Sequence, residues 1–146
     1  MKYSHKITKY NPSHTKERLQ EEWTSYHDIG KLVSLEKYLF IENKYIETVI
    51  EICKCTNTKF LRIKDLEIYD DSFDLVEDKK VEITELEDIL RLVLREKLWF
   101  KLVSEDCQFH FGYDYYMYFV SSKDFTSCIE NVSNKLYVEN FKSPYL

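Results

Sequence analysis

The stretch FHFGYDYYMYFV, Phe109–Val120, decides how this chain folds. Eight of its twelve residues carry aromatic rings, counting His110, against one glycine and one charge. Aromatic side chains at this density favour a pleated, half-buried strand. Gly112-Tyr113-Asp114 is either a turn between two short strands or a bend in one long strand. Core burial alone does not explain so many tyrosine hydroxyls, and a row of them suggests a surface that something else touches. Either Tyr115 and Met117 or Tyr116 and Tyr118 face inward, because alternation puts the two sets on opposite faces.

Upstream, Thr84 with Glu87 three residues on is a capping-box pattern that opens the clearest helix. Leu86, Ile89, Leu90, Val93, Leu94 and Leu98 form its apolar stripe, which runs on towards Trp99 and Leu102. Arg91, Arg95, Glu96 and Lys97 are expected mostly on its wet face. An earlier helix runs from about Leu35 to Cys53, with Ser34 as N-cap, Glu36 in the first turn and Thr56-Asn57-Thr58 as its stop. Between the helices, Lys59–Tyr69 reads as a strand whose alternation changes phase near Lys64-Asp65, at a bulge or at a gap between two short strands. Downstream come a short helix spanning Lys123–Val132 (Phe125, Ile129 and Val132 on one side) and a last strand, Leu136–Phe141. The first thirty residues show no clear pattern. Leu19 and Trp23 either staple a short helix or cover the core as an irregular arm. The order helix, strand, helix, strand, strand, strand predicts an α+β fold: a single domain over residues 1–146, two main helices packed on a mostly antiparallel sheet.

A chain of 146 residues with 44% hydrophobic and 32% charged residues is one domain by length, large enough for a real core. No apolar run approaches the roughly 18 to 20 residues of a membrane span. The first residues lack the apolar block of a signal peptide, so a cytoplasmic protein is expected. Cys53, Cys55, Cys107 and Cys128 show no C-x-x-C pairing, and Cys53-x-Cys55 is not a usual zinc knuckle. Reduced thiols are the expectation. The net charge of −5 argues against nucleic acid as a direct partner and suits a basic one. With only Gly30 and Gly112, neither G-x-G-x-x-G nor a P-loop can be built.

His5, His14, His27 and His110 form no H-x-x-x-H or H-E-x-x-H pair, and no metal or other cofactor is expected. His110 reads as a half-exposed strand histidine or a polar contact in a binding face. Cys107, His110 and Asp114 invite a nucleophile-base-acid reading. Strand parity speaks against it, since residues three apart point to opposite faces. The densest acidic block is Asp65, Glu67, Asp70, Asp71, Asp74, Glu77 and Asp78. An EF-hand counted from Asp70 would need glycine at Leu75 and glutamate at Val81, so that fit fails. The block is either a solvated loop or an electrostatic platform for a basic partner. A hydrolase with paired carboxylates and a scaffold that self-associates through its aromatic sheet stay open as alternatives. The sequon Asn131-Val132-Ser133 carries no meaning in a cytoplasmic chain.

Five segments carry a resemblance: Lys9-Tyr10-Asn11-Pro12, Glu22-Trp23-Thr24-Ser25, Asp28-Ile29-Gly30-Lys31, His110 through Tyr118, and Phe141-Lys142-Ser143-Pro144-Tyr145. In these the chain resembles the immunity proteins of bacterial contact-dependent growth inhibition and related polymorphic toxin systems. The resemblance implies a stoichiometric, non-enzymatic inhibitor that binds a toxin's C-terminal domain, often a nuclease, and blocks it. A monomer or weak dimer is expected. Nuclease clefts are basic, so an acidic inhibitor with exposed tyrosines complements them. The residues expected to meet the toxin are Asp65, Glu67, Asp70, Asp71, Asp74, Tyr113, Asp114, Tyr116 and Tyr118.

Overall fold

In a computed structural model, which describes residues 1–20, 22–69, 73–132 and 136–146, the aromatic stretch is a hairpin rather than one bent strand. Its arms are two strands, here β5 (Cys107–Phe111) and β6 (Met117–Ser121), paired Phe109 to Phe119 and Phe111 to Met117. Around them the chain runs β1 (Tyr3–Thr8), α1 (Lys16–Gln20), α2 (Leu35–Cys55), β2 (Phe60–Ile68), β3 (Lys80–Glu82), α3 (Leu86–Leu94), β4 (Leu98–Val103), then β5, β6, α4 (Thr126–Glu130) and β7 (Tyr137–Asn140). All seven strands join one sheet in the order β3-β2-β4-β5-β6-β1-β7, every pair antiparallel. The α+β class and the two main helices are those expected.

Alternation along each strand divides the sheet into two faces. Ile7, Leu61, Ile63, Phe100, Leu102, Phe109, Phe111, Met117 and Phe119 form one buried cluster with Tyr45, Val49 and Ile52 of α2 and Leu86, Leu90 and Val93 of α3. Burying these large side chains is the main source of stability, at about 25 cal/mol per Å² of apolar surface. No helix among the described residues is long and apolar enough to cross a membrane.

The helix from Leu35 begins as expected: Ser34 accepts a hydrogen bond from the Lys37 amide at 3.2 Å. It ends at Cys55, and Asn57 with φ +58° turns the chain out. The phase change in β2 is a bulge. Its register shifts between Lys64 and Glu67, with Asp65 at φ +56°. The Glu77 carboxylate accepts from the amides of Asp65 and Leu66 at 3.1 and 2.9 Å, satisfying donors that the bulge removes from the ladder.

Four expectations need correction. The second helix stops at Leu94, because Glu96 takes φ +60° and reverses the chain. Leu98, Trp99 and Leu102 therefore belong to a strand, β4, whose residues are buried alternately. Nor does Thr84 cap the helix: Glu85 stands at its N-cap, and the capping box belongs to the short 3-10 turn Ile83–Glu85 before it, where the Glu85 carboxylate accepts from the Glu82 amide at 3.2 Å. Second, Arg91 and Arg95 are not on the wet face: both turn inward to Glu42, which is fully buried. Third, Cys55 and Cys128 form a disulfide, because α4 packs on the end of α2 with their Cα atoms 5.7 Å apart. Cys53 and Cys107 remain free and buried. Fourth, His110 is buried rather than half-exposed. Within the N-terminal thirty residues, Tyr3–Thr8 forms the strand β1 between β6 and β7, and Trp23 is buried. The Leu19 side chain and residue Ser133 of the sequon lie outside the described residues.

Candidate partner-binding face

The sheet face away from the main helices carries Lys6, Arg62, Lys64, Glu67, Trp99, Lys101, His110 and Tyr118 by register. The chain's last residues cross part of it. Ser4 donates to the Phe141 carbonyl at 2.7 Å and accepts from the Ser143 amide at 2.9 Å. Ser143 Oγ lies 2.7 Å from His110 Nδ1, and Lys101 donates to the Tyr145 carbonyl at 2.6 Å. Aromatic rings then run across the face in near-contact: Trp99 to Tyr145 at 5.6 Å, Tyr145 to Tyr118 at 6.1 Å, Tyr118 to Phe141 at 6.0 Å.

The hairpin tip adds the rest. Gly112 donates to the Tyr116 carbonyl at 2.8 Å, and both Asp114 and Tyr115 take positive φ, +63° and +67°. That backbone costs a bulky residue such as Tyr115 roughly 1 to 2 kcal/mol. A buried network holds it. Tyr45 donates to the Tyr115 carbonyl at 2.8 Å and accepts from the Lys9 amide at 2.7 Å. The Tyr38 hydroxyl donates to Glu42 at 2.7 Å, so the Tyr115 hydroxyl must donate to Tyr38, 2.5 Å away. Trp23 packs edge-on to Tyr115 at 5.1 Å, and Tyr10 donates to the Asp114 carbonyl. With Tyr115 and Met117 drawn inward, Tyr113 and Tyr116 are left outside.

The structure places the expected partner-binding residues as follows. Tyr113, Asp114 and Tyr116 are exposed at the tip, with Tyr113 59% and Tyr116 38% exposed. Tyr118 lies on the same face but is only 6% exposed, between Phe141 and Tyr145. Asp65 is exposed and paired with Lys101 at 3.3 Å. Glu67 is exposed opposite Trp99, and among the described residues it joins no ion pair. Asp74 is exposed in the loop after β2, and Asp70 and Asp71 lie outside the described residues. The acidic block is thus partly structural: Glu77 holds the bulge, and Asp78 pairs with Lys64 at 2.7 Å. The Lys64 ammonium keeps the Asp78 carboxyl below its ordinary pKa.

Three residues outside the sequence-based expectation complete the face. Trp99 and Tyr145 join Glu67 and Tyr113 around an open hollow of about 200 Å³. Tyr69, 51% exposed, lies with its hydroxyl 3.4 Å from that of Tyr113. Burial, the hydrogen bond to Tyr113 and the fields of Glu67 and Glu96 push the Tyr69 hydroxyl pKa up. Burial and the field of Asp114 raise the Glu96 carboxyl, so negative charge crowds this corner.

His110 is held between Ser143 and Gln108 Oε1, each at 2.7 Å, while Cys107 points to the helix-covered face. Burial, then the Lys101 charge, lowers the imidazole pKa from 6.5 to about 4. The unfolded chain therefore binds the proton first. Stability is complete above pH 6.5 and falls as pH drops towards 4. The loss amounts to about 3 kcal/mol once both states are protonated. Urea midpoints across that window check this, and His110→Gln should flatten the dependence there. Equal slopes for both proteins would refute it.

No family model, no curated protein and no solved structure matches this chain.

Proposed function

We propose that this chain neutralises a basic toxin domain, in the manner of an immunity protein, by presenting the tip-and-tail face of its sheet as a stoichiometric binding surface. The observation that carries the reading is the band of rings from Tyr69 and Tyr113 through Tyr145 to Phe141, edged by Glu67, Asp65 and Asp114. Interfaces are enriched in such rings, and exposed acids speed encounter with a basic partner. The formal charge of −5 agrees in sign. So does the resemblance to immunity proteins, whose aromatic segment, His110 through Tyr118, contributes Tyr113, Asp114, Tyr116 and Tyr118 to this face.

Self-association through the sheet edges finds less support. The edge strands β3 and β7 are three and four residues long, and short edges discourage strand addition.

The test is protection of cells. On this proposal a large secreted protein is expected to be encoded directly upstream, and co-expression with the C-terminal domain of that protein should restore growth that the domain alone abolishes. The double substitution Tyr113→Ala with Glu67→Ala should lose most of that protection while the protein stays folded. Failure of the wild type to protect, or full protection by the double variant, counts against the reading.

A further inference from the structure

We propose that the hollow bounded by Glu67, Trp99, Tyr113 and Tyr145 receives one basic side chain, an arginine or lysine, from a protein partner. This rests on the binder reading and specifies its central contact.

The walls are aromatic on three sides and carboxylate on the fourth. A cation over such ring faces gains about 0.5 to 2 kcal/mol, and more than one ring forms a cage. Glu67 supplies the counter-charge, and no ion pair among the described residues engages it. The nearby cations are engaged elsewhere: Lys101 by Asp65 and the Tyr145 carbonyl, Lys64 by Asp78. A hollow of about 200 Å³ is smaller than the roughly 300 to 1,000 Å³ of small-molecule sites, so it suits one side chain.

The walls are also fixed in advance, which lowers the ordering cost of binding. The Trp99 indole N–H donates to the Phe111 carbonyl at 2.6 Å. Tyr145 is tied by its amide to Ser143 Oγ at 3.2 Å and by its carbonyl to Lys101. Tyr113 stands on the clamped hairpin tip. Beneath them Gly112 leaves room: a Cβ there would sit 3.2 Å from the Tyr145 hydroxyl and 3.2 Å from Tyr116 Cβ. A methyl group there would make the Tyr145 ring and the Tyr116 side chain give by a few tenths of an ångström.

The experiment titrates the full chain with three probes: acetyl-arginine methylamide, acetyl-lysine methylamide and the neutral acetyl-norleucine methylamide. The readout is the Trp99 indole N–H resonance, told from that of Trp23 by the spectrum of Trp99→Phe. The two cations should shift it saturably, with dissociation constants in the millimolar range. The norleucine amide should leave it unmoved. Glu67→Gln, an exposed change with little effect on folding, should weaken the cations about fivefold. Gly112→Ala should weaken them too, by moving the Tyr145 wall. Absence of a saturable shift, an equal shift from the neutral amide, or unchanged affinity in Glu67→Gln overturns the proposal. The two readings separate cleanly. If the toxin domain that the binder reading expects from the upstream gene binds wild type and Glu67→Gln alike, the cage is wrong and the binder reading stands. If that domain does not bind but the amides do, the binder reading falls and the cage remains.

Discussion

Glu42→Ala is expected to cost about 3 to 5 kcal/mol of folding stability, the range for breaking a buried ion pair by removing one partner. Such a loss is a large part of the roughly 5 to 15 kcal/mol that holds a domain folded. Glu42 is wholly buried, and its carboxylate accepts from Arg95 Nε at 2.8 Å, from Arg95 again at 2.9 Å, from Arg91, and from Tyr38. Truncation takes from Arg95 its carboxylate partner, leaves Arg91 with Glu87 and Asn43, and removes the acceptor of the Tyr38 hydroxyl; both guanidinium groups are about a quarter exposed. The damage should reach the binding face. Tyr38 accepts from Tyr115, and Tyr115 holds the tip in a backbone it would not choose unaided. Amide resonances of Tyr113 to Tyr116 should therefore broaden or shift in the variant. Urea denaturation measures the energy, and a loss below about 1 kcal/mol would show the pair to be no more than a surface one. The pH dependence has a definite sign. Burial raises the Glu42 carboxyl pKa, but hydrogen bonds from Arg95 and Tyr38 outweigh it and the net shift is downward. Its contribution is present above the unfolded value of 4.5 and lost as pH falls through the lower folded value.

Reduction of Cys55–Cys128 is the second large effect. The bond closes a loop with a sequence separation of 73 residues, for which chain entropy gives a stabilisation of about 4 kcal/mol. A reductant, or the pair Cys55→Ser with Cys128→Ser, should lower the denaturation midpoint accordingly. Shuffling with the other thiols is not expected. Burial, then the nearby Cys107, pushes the Cys53 thiol up to about 12, so its reactive thiolate is scarce near neutral pH. Two thiols should react in denaturant without reductant and four with it. Four reactive thiols in both conditions, or a midpoint indifferent to reductant, would contradict the bond. The result also bears on where the chain works, since disulfides persist in oxidising compartments and are rare in a reducing cytosol.

The parts of the fold that were legible in sequence obeyed one local rule each. Ser34 announced α2; the broken alternation at Lys64-Asp65 left a bulge or a gap open, and Gly112-Tyr113-Asp114 a turn or a bend, and the structure has the bulge and the turn. What stayed hidden depended on partners distant in sequence. Leu94 and Leu98 stand four apart, so β4 continues the helical pattern although Glu96 reverses the chain. The alternation in Leu98–Val103 was the available signal. Glu42, Arg91 and Arg95 have the spacing of solvated helix charges, because only the packing of α2 on α3 brings them together. Trp99 and Tyr145 escape local reading for the same reason: one extends an apolar helical stripe, and the other lies in a tail whose path over the sheet no local pattern reveals. The segments that carry the resemblance meet in space. Lys9, Tyr10, Trp23 and the tip support one another, with the Lys9 ammonium 4.2 Å from both the Tyr10 and Trp23 rings. Asp28 accepts from the Thr24 and Ser25 amides at 2.8 and 3.2 Å. Much of what carries the resemblance therefore builds the scaffold behind the face, and the hollow itself is where a partner's chemistry would be distinguished.

The central claim is that the sheet face made by the hairpin tip and the crossing tail meets a basic protein. Hydrogen exchange on the complex with the toxin domain that the proposal expects from the neighbouring upstream gene tests it most directly. Protection should concentrate at Glu67 to Tyr69, Trp99, Tyr113 to Tyr116 and Phe141 to Tyr145. New protection confined to α2 and α3, with those segments exchanging as in the free protein, would contradict it.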